Sequence, residues 1–119
     1  MNKILKNKKF ISIKEVFFTL ELKSGLQKVF GEENAVKAEK ISEKIRGFQF
    51  TYMSKNGKIS GLLALPKSSK EKKIPCIIYN RGGNKDFSIL RPGALFKNLG
   101  FLAAEGYLVI ASQYSGNSL

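Results

Sequence analysis

Apolar and polar residues alternate most regularly in the middle of the chain. Phe48-Gln49-Phe50-Thr51-Tyr52-Met53-Ser54 has a period of two, Lys55-Asn56-Gly57 interrupts it, and Lys58 to Leu65 runs back toward Pro66. A period of two sends successive side chains to opposite faces of a strand, and Asn-Gly tolerates the positive φ of a type I′ turn. The stretch therefore predicts a β-hairpin that Pro66 ends. Lys67 to Lys73 reads as a serine- and lysine-rich surface loop. Beyond it, Ile74 to Tyr79 is a continuous apolar run closed by Asn80-Arg81-Gly82-Gly83-Asn84, the pattern of a strand buried on both faces in a parallel sheet. Asp86-Phe87-Ser88 and Pro92-Gly93 are helix-entry residues, and Leu95, Leu99, Leu102 and Ala103 form one apolar face of a helix over residues 94–105. Gly100 inside that helix is expected where packing is too close for a side chain, and Gly106 supplies the C′ position. Tyr107 to Ser112 is the next buried strand, giving strand, glycine turn, helix, strand, the order of a βαβ unit.

The first 46 residues are less regular. Residues 1–9 are rich in lysine and asparagine and predict a frayed end. Ser12-Ile13-Lys14-Glu15 has capping-box spacing ahead of Val16, Phe17 and Leu20, which favours a helix; Phe18, Leu20 and Leu22 alternate with polar residues, which is strand spacing. The helix is the preferred reading. Glu32 to Arg46 predicts a surface helix with acidic residues first, basic residues last, Ala38, Ile41 and Ile45 as its apolar stripe and Gly47 as its C′ residue. The chain is thus read as α/β: one or two N-terminal helices (residues 1–46), then a β-hairpin and a strand–helix–strand unit (residues 47–119).

Composition changes this picture in three ways. With 119 residues, 43% hydrophobic and 25% charged, the chain is ordinary globular material for one domain at most. Its net charge of +12 admits nucleic acid, anionic lipid or an acidic substrate as partners. The charge is nearly all lysine, however, with only Arg46, Arg81 and Arg91 able to form forked contacts, which favours a solvated basic surface over a nucleic-acid site. The single cysteine, Cys76, excludes an internal disulfide and a cysteine metal cluster, and its place among isoleucines predicts a buried, inert thiol. No signal-peptide pattern or membrane-length apolar run occurs, so a cytoplasmic protein without a membrane partner is expected. The chain contains no histidine, and therefore no Ser-His-Asp, Cys-His or HExxH chemistry of its own.

The succession of hairpin, strand with glycine turn, helix, and Gly106-Tyr107-Leu108-Val109-Ile110-Ala111-Ser112-Gln113-Tyr114-Ser115-Gly116-Asn117 resembles the start of the catalytic domain of α/β-hydrolases. Within that fold the prolyl oligopeptidase-type and dienelactone-hydrolase-like serine hydrolases are the most similar, over about residues 45–117. The family carries His-Gly-Gly or Tyr-Gly-Gly after its third strand, matched here by Arg81, Gly82 and Gly83, and Asn-Tyr-Arg-Gly after its fourth, matched within residues 112–117 with Ser115 in the arginine's place. The resemblance implies an oxyanion hole built partly from the backbone N–H groups of Gly82, Gly83 and Asn84, with Arg81 adding positive potential in place of the family's aromatic or imidazole side chain. The family's Gly-x-Ser-x-Gly elbow, acid and histidine lie further along the chain. None is present here, and Ser115-Gly116 follows the wrong strand to be an elbow.

The resulting expectation is the N-terminal fragment of a serine esterase or peptidase, without catalytic residues, metal or cofactor of its own. An ester or peptide substrate would require the missing C-terminal part. Leu119 closely follows a strand expected to have an open edge, which points to a truncated product able to self-associate through that edge. A small basic module binding nucleic acid or an acidic partner is the alternative. A phosphate-binding nest at Arg81-Gly82-Gly83-Asn84 ranks below both, because no Gly-x-Gly-x-x-Gly or P-loop pattern accompanies it.

Overall fold

The computed structural model describes residues 10–54, 57–67, 73–79 and 92–112. They form an α/β structure with a five-stranded mixed sheet in the order β1-β2-β3-β5-β4. The strands are β1 (Phe10–Val16), β2 (Ile45–Ser54), β3 (Gly57–Pro66), β4 (Cys76–Ile78) and β5 (Leu108–Ser112). Helices α1 (Leu20–Phe30) and α2 (Glu32–Ser42) separate β1 from β2. A helical run before β5 consists of α3 (Pro92–Ala94), a π-helical stretch (Leu95–Leu99) and α4 (Gly100–Ala104). β1, β2, β3 and β5 pair antiparallel in turn, and β4 lies parallel to β5.

The hairpin forms as its alternation requires. Phe48 pairs with Leu63, Phe50 with Gly61 and Tyr52 with Ile59, so their side chains share one face of the sheet. The register sets Ser54 opposite Gly57, which has φ +111°, so Gly57 opens β3 instead of sitting at the centre of the turn with Asn56.

The N-terminal expectations need correcting. Ser12 to Val16 is strand, because Ile13 and Glu15 pair with Phe50 and Phe48 and gain an apolar neighbour and an ion pair that an isolated helical turn could not offer. The helix begins later, capped by Thr19, whose hydroxyl accepts the Leu22 N–H at 3.1 Å. Leu22 and Leu26, four apart, then face inward. Helix α2 stops at Ser42, not Arg46. Ile45 and Gly47 belong to β2, where Ile45 enters the core and the missing side chain of Gly47 makes room for Leu95. Two N-terminal helices are therefore present, but a strand precedes them.

Two clusters divide the core by sheet face. On one face Leu62 and Ala64 of β3, Val109 and Ala111 of β5 and Ile45 meet Leu26, Ala35, Ala38, Leu95, Phe96, Leu99 and Ala103 from the helices. Fully burying an aliphatic side chain contributes about 1.5–3 kcal/mol, and Leu62, Leu63, Leu95, Leu99 and Val109 are all buried to this degree. Phe18 caps the layer edge-on against Phe96, with ring centroids 5.3 Å apart. On the opposite face Phe48, Phe50, Leu63, Leu65 and Leu108 cluster without a helix over them among the described residues.

The second half of the sheet also departs from expectation. β5 is interior, flanked by β3 and β4, so among the described residues the open edge expected there belongs to β4 instead. β4 is three residues long, and Ile78 is 72% exposed while Ile77 packs inward. The Ile74–Tyr79 run is thus an edge strand covered on one face. Cys76 is exposed, contrary to the buried thiol that its apolar neighbours suggest, because it points to the uncovered face.

The helix expected over residues 94–105 is present, with its apolar face inward, but it widens to a π-turn ending at Gly100. A Cβ built at Gly100 would lie 2.6 Å from Ile41 Cγ2 and 2.7 Å from the Leu95 carbonyl oxygen, five residues back. Gly100 is thus required by close packing against α2 as well as the sheet. Gly100→Ala is expected to lower unfolding stability by about 1–3 kcal/mol through overpacking, outweighing the ~1 kcal/mol propensity gain of alanine. Gly25→Ala, where a Cβ meets nothing within 4 Å, is expected to stabilise by about 0.4–1 kcal/mol. Urea denaturation of the two variants checks both signs.

Candidate functional site

In a parallel α/β sheet, ligands bind beyond the carboxyl ends of the strands, where successive loops diverge. Here β4 and β5 are the adjacent parallel strands, in register with Cys76 opposite Leu108 and Ile78 opposite Ile110. Two bonds lock that register: the Leu108 N–H donates to the Pro75 carbonyl at 2.9 Å, and the Tyr79 N–H donates to the Ile110 carbonyl at 2.8 Å. The two strands consequently deliver Tyr79 and Ser112 to the same edge of the sheet. Those are the residues from which the Asn80–Asn84 and Gln113–Asn117 segments depart.

Arg81, Gly82, Gly83 and Asn84, the residues expected to donate to an oxyanion, lie outside the described residues. So do Ser115 and Gly116. What is described is the pair of strand ends that precede them in the sequence. Tyr79 packs on the helix-covered cluster, anchoring the carboxyl end of β4. On the other face the Ser112 and Tyr52 hydroxyl oxygens approach to 3.4 Å, a long contact across β5 and β2. Gly61, opposite Ser112, lets the neighbouring strands close: a Cβ there would collide with the Ala111 carbonyl oxygen and the Phe50 ring. No group of three or more His, Cys, Asp or Glu able to hold a metal occurs among the described residues. No helix of the described residues is long and apolar enough to cross a membrane.

Two features escaped the sequence reading. The first is an ion pair: Arg46 Nη2 donates to Glu15 Oε1 at 2.8 Å and Arg46 Nε to Glu15 Oε2 at 3.1 Å, with the guanidinium 5.1 Å from the Phe48 ring centroid. The residues lie 31 apart in sequence and meet only through the β1–β2 register, which no local pattern announces. The second is an apolar groove between α1 and the helical run. Its signal was the pair of glycines, Gly25 and Gly93, on facing helices, legible only once the helices were known to face each other.

Comparison with protein families, curated proteins and solved structures found no match to this chain.

The hydrogen bonds from Arg46 are the main reason that the Glu15 carboxyl titrates below its ordinary value; burial opposes them. A lowered folded-state pKa gives stability that is present above the ordinary carboxylate range and lost as pH falls through the folded value. Both side chains are partly exposed, which limits the pair to about 1 kcal/mol or less. Glu15→Gln is therefore expected to be slightly less stable than the parent at neutral pH. The difference should vanish as the parent's Glu15 protonates in acid; urea midpoints across that pH range provide the measurement.

Proposed function

We propose that the chain is the N-terminal part of an α/β-hydrolase catalytic domain, from a serine esterase or peptidase of the prolyl oligopeptidase-like class. In this reading the backbone N–H groups of Gly82, Gly83 and Asn84 form part of an oxyanion hole and Arg81 adds positive potential beside it. The observation that supports it is the parallel β4–β5 pair, whose carboxyl ends, Tyr79 and Ser112, lie side by side and immediately precede in sequence the residues that carry the resemblance. An oxyanion forms when a nucleophile adds to a carbonyl, and preorganised N–H donors stabilise it by roughly 3–4 kcal/mol for a donor removed by mutation. Such donors stabilise charge but do not attack. With no histidine in the chain, nothing here can activate a serine in the usual way, so the nucleophile, acid and base must come from other residues.

The purified chain is expected to leave p-nitrophenyl acetate at its buffer hydrolysis rate; turnover that persists through further purification would show that it is catalytic alone. Sequencing the coding DNA past the Leu119 codon tests the ancestry: a Gly-x-Ser-x-Gly motif and a later histidine, in any frame, are expected, and their absence would undo the assignment.

A further inference from the structure

The groove between α1 and the helical run has a volume of about 700 Å³, within the ~300–1,000 Å³ usual for small-molecule sites. Leu22, Leu26 and Val29 wall it from α1 and Ala94 from the opposite side, with Phe30, Lys97 and Asn98 also among the lining residues. It stays open because facing positions carry no side chains. A Cβ at Gly25 would meet nothing within 4 Å, and one at Gly93 would only touch Leu26 at 3.4 Å. Val29 is 71% exposed and Phe30 46% exposed, so apolar surface faces water beside a cavity that could cover it.

The charge in the groove is uneven. Lys97 Nζ lies 4.2 Å from the Phe30 ring centroid, and no carboxylate pairs with it among the described residues. Glu21, the acid of the lining, sits at the opposite end of α1, about 13 Å from Phe30 along the axis at ~1.5 Å per residue. The Lys97 ammonium has only a long 3.5 Å contact to Asn98 Oδ1 beside the Phe30 ring. An apolar trough about two and a half turns long, ending in an ammonium with no carboxylate partner among the described residues, thus suits an unbranched apolar chain with one anionic head.

We propose that this groove binds a medium-chain carboxylate, its alkyl chain along Leu22, Leu26 and Val29 and its carboxylate at Lys97. The inference does not rest on hydrolase ancestry. Sodium decanoate, titrated below its micelle concentration into the full chain and followed by amide chemical shifts, is the probe, with decanol as the uncharged control. Saturable binding is expected in the millimolar range or tighter, with shifts centred on Gly25, Val29 and Gly93. Gly25→Leu, which fills the groove at a position free of backbone strain, should abolish binding while keeping a dispersed amide spectrum. Val29→Asn, at an exposed site, should weaken binding of both probes even if the leucine variant misfolds. Lys97→Met should weaken decanoate about fivefold, the upper range for an exposed ion pair, and leave decanol unchanged. The proposal is overturned by the absence of saturable decanoate binding, by shifts away from the groove, by full binding to a folded Gly25→Leu variant, by unweakened binding to Val29→Asn, or by an unaltered decanoate preference in Lys97→Met.

Discussion

The antiparallel junction of β3 with β5 holds the structure together. The hairpin brings β2 and β3 together through a short connection, and β4 pairs with β5; among the described residues, only the register of Gly61–Ala64 against Ser112–Val109 pairs these halves of the sheet. That junction needs Gly61, because any side chain there would strike the Ala111 carbonyl oxygen. It also explains the burial of Leu62, Leu63 and Ala64 in succession: β3 is central, so its side chains are covered whichever face they point to. An edge position would have exposed one set, as it does for Cys76 and Ile78 in β4.

A second constraint is sidedness. All the described helices pack on the face that presents Ile45, Leu62, Ala64, Val109 and Ala111, while Phe48, Phe50, Leu63, Leu65 and Leu108 form their own cluster on the reverse. A parallel pair such as β4–β5 is ordinarily covered on both faces. The exposed Cys76 and Ile78 break that rule among the described residues, and Ile78 adjoins the strand end that precedes the glycine segment in sequence. The uncovered face and the candidate site therefore share β4.

How much was legible in the sequence follows from the range of the interactions concerned. The hairpin was readable because period-two alternation and Pro66 act within a few residues of one another, although Gly57 opens β3 and is not a central turn residue with Asn56. The βαβ order was readable from its apolar runs, and the need for Gly100 from its place in a helical face. Ser12 to Val16 was misread because its helix signal is local, whereas its pairing with residues 47–51 is not. The end of α2 was misread because Gly47 looks like a helix stop, when its role is to admit Leu95 from a helix some fifty residues away. The apolar run of β4 suggested burial that depends on neighbours the run itself cannot specify.

The same distinction bears on chemistry. Backbone N–H groups at a glycine turn can be inferred from sequence because glycine permits the conformation, but what they stabilise depends on which strand ends lie beside them. Parallel pairing of β4 with β5 answers part of that question, since it aligns the carboxyl ends of two strands whose onward segments are glycine-bearing and polar. Backbone N–H donors can hold an anion or a developing oxyanion, but they supply no nucleophile to generate one. In the hydrolase reading proposed above, the N–H groups of Gly82, Gly83 and Asn84 would serve catalysis only together with a nucleophile from other residues. Within that reading, their contribution would be felt in transition-state stabilisation, not in substrate affinity alone.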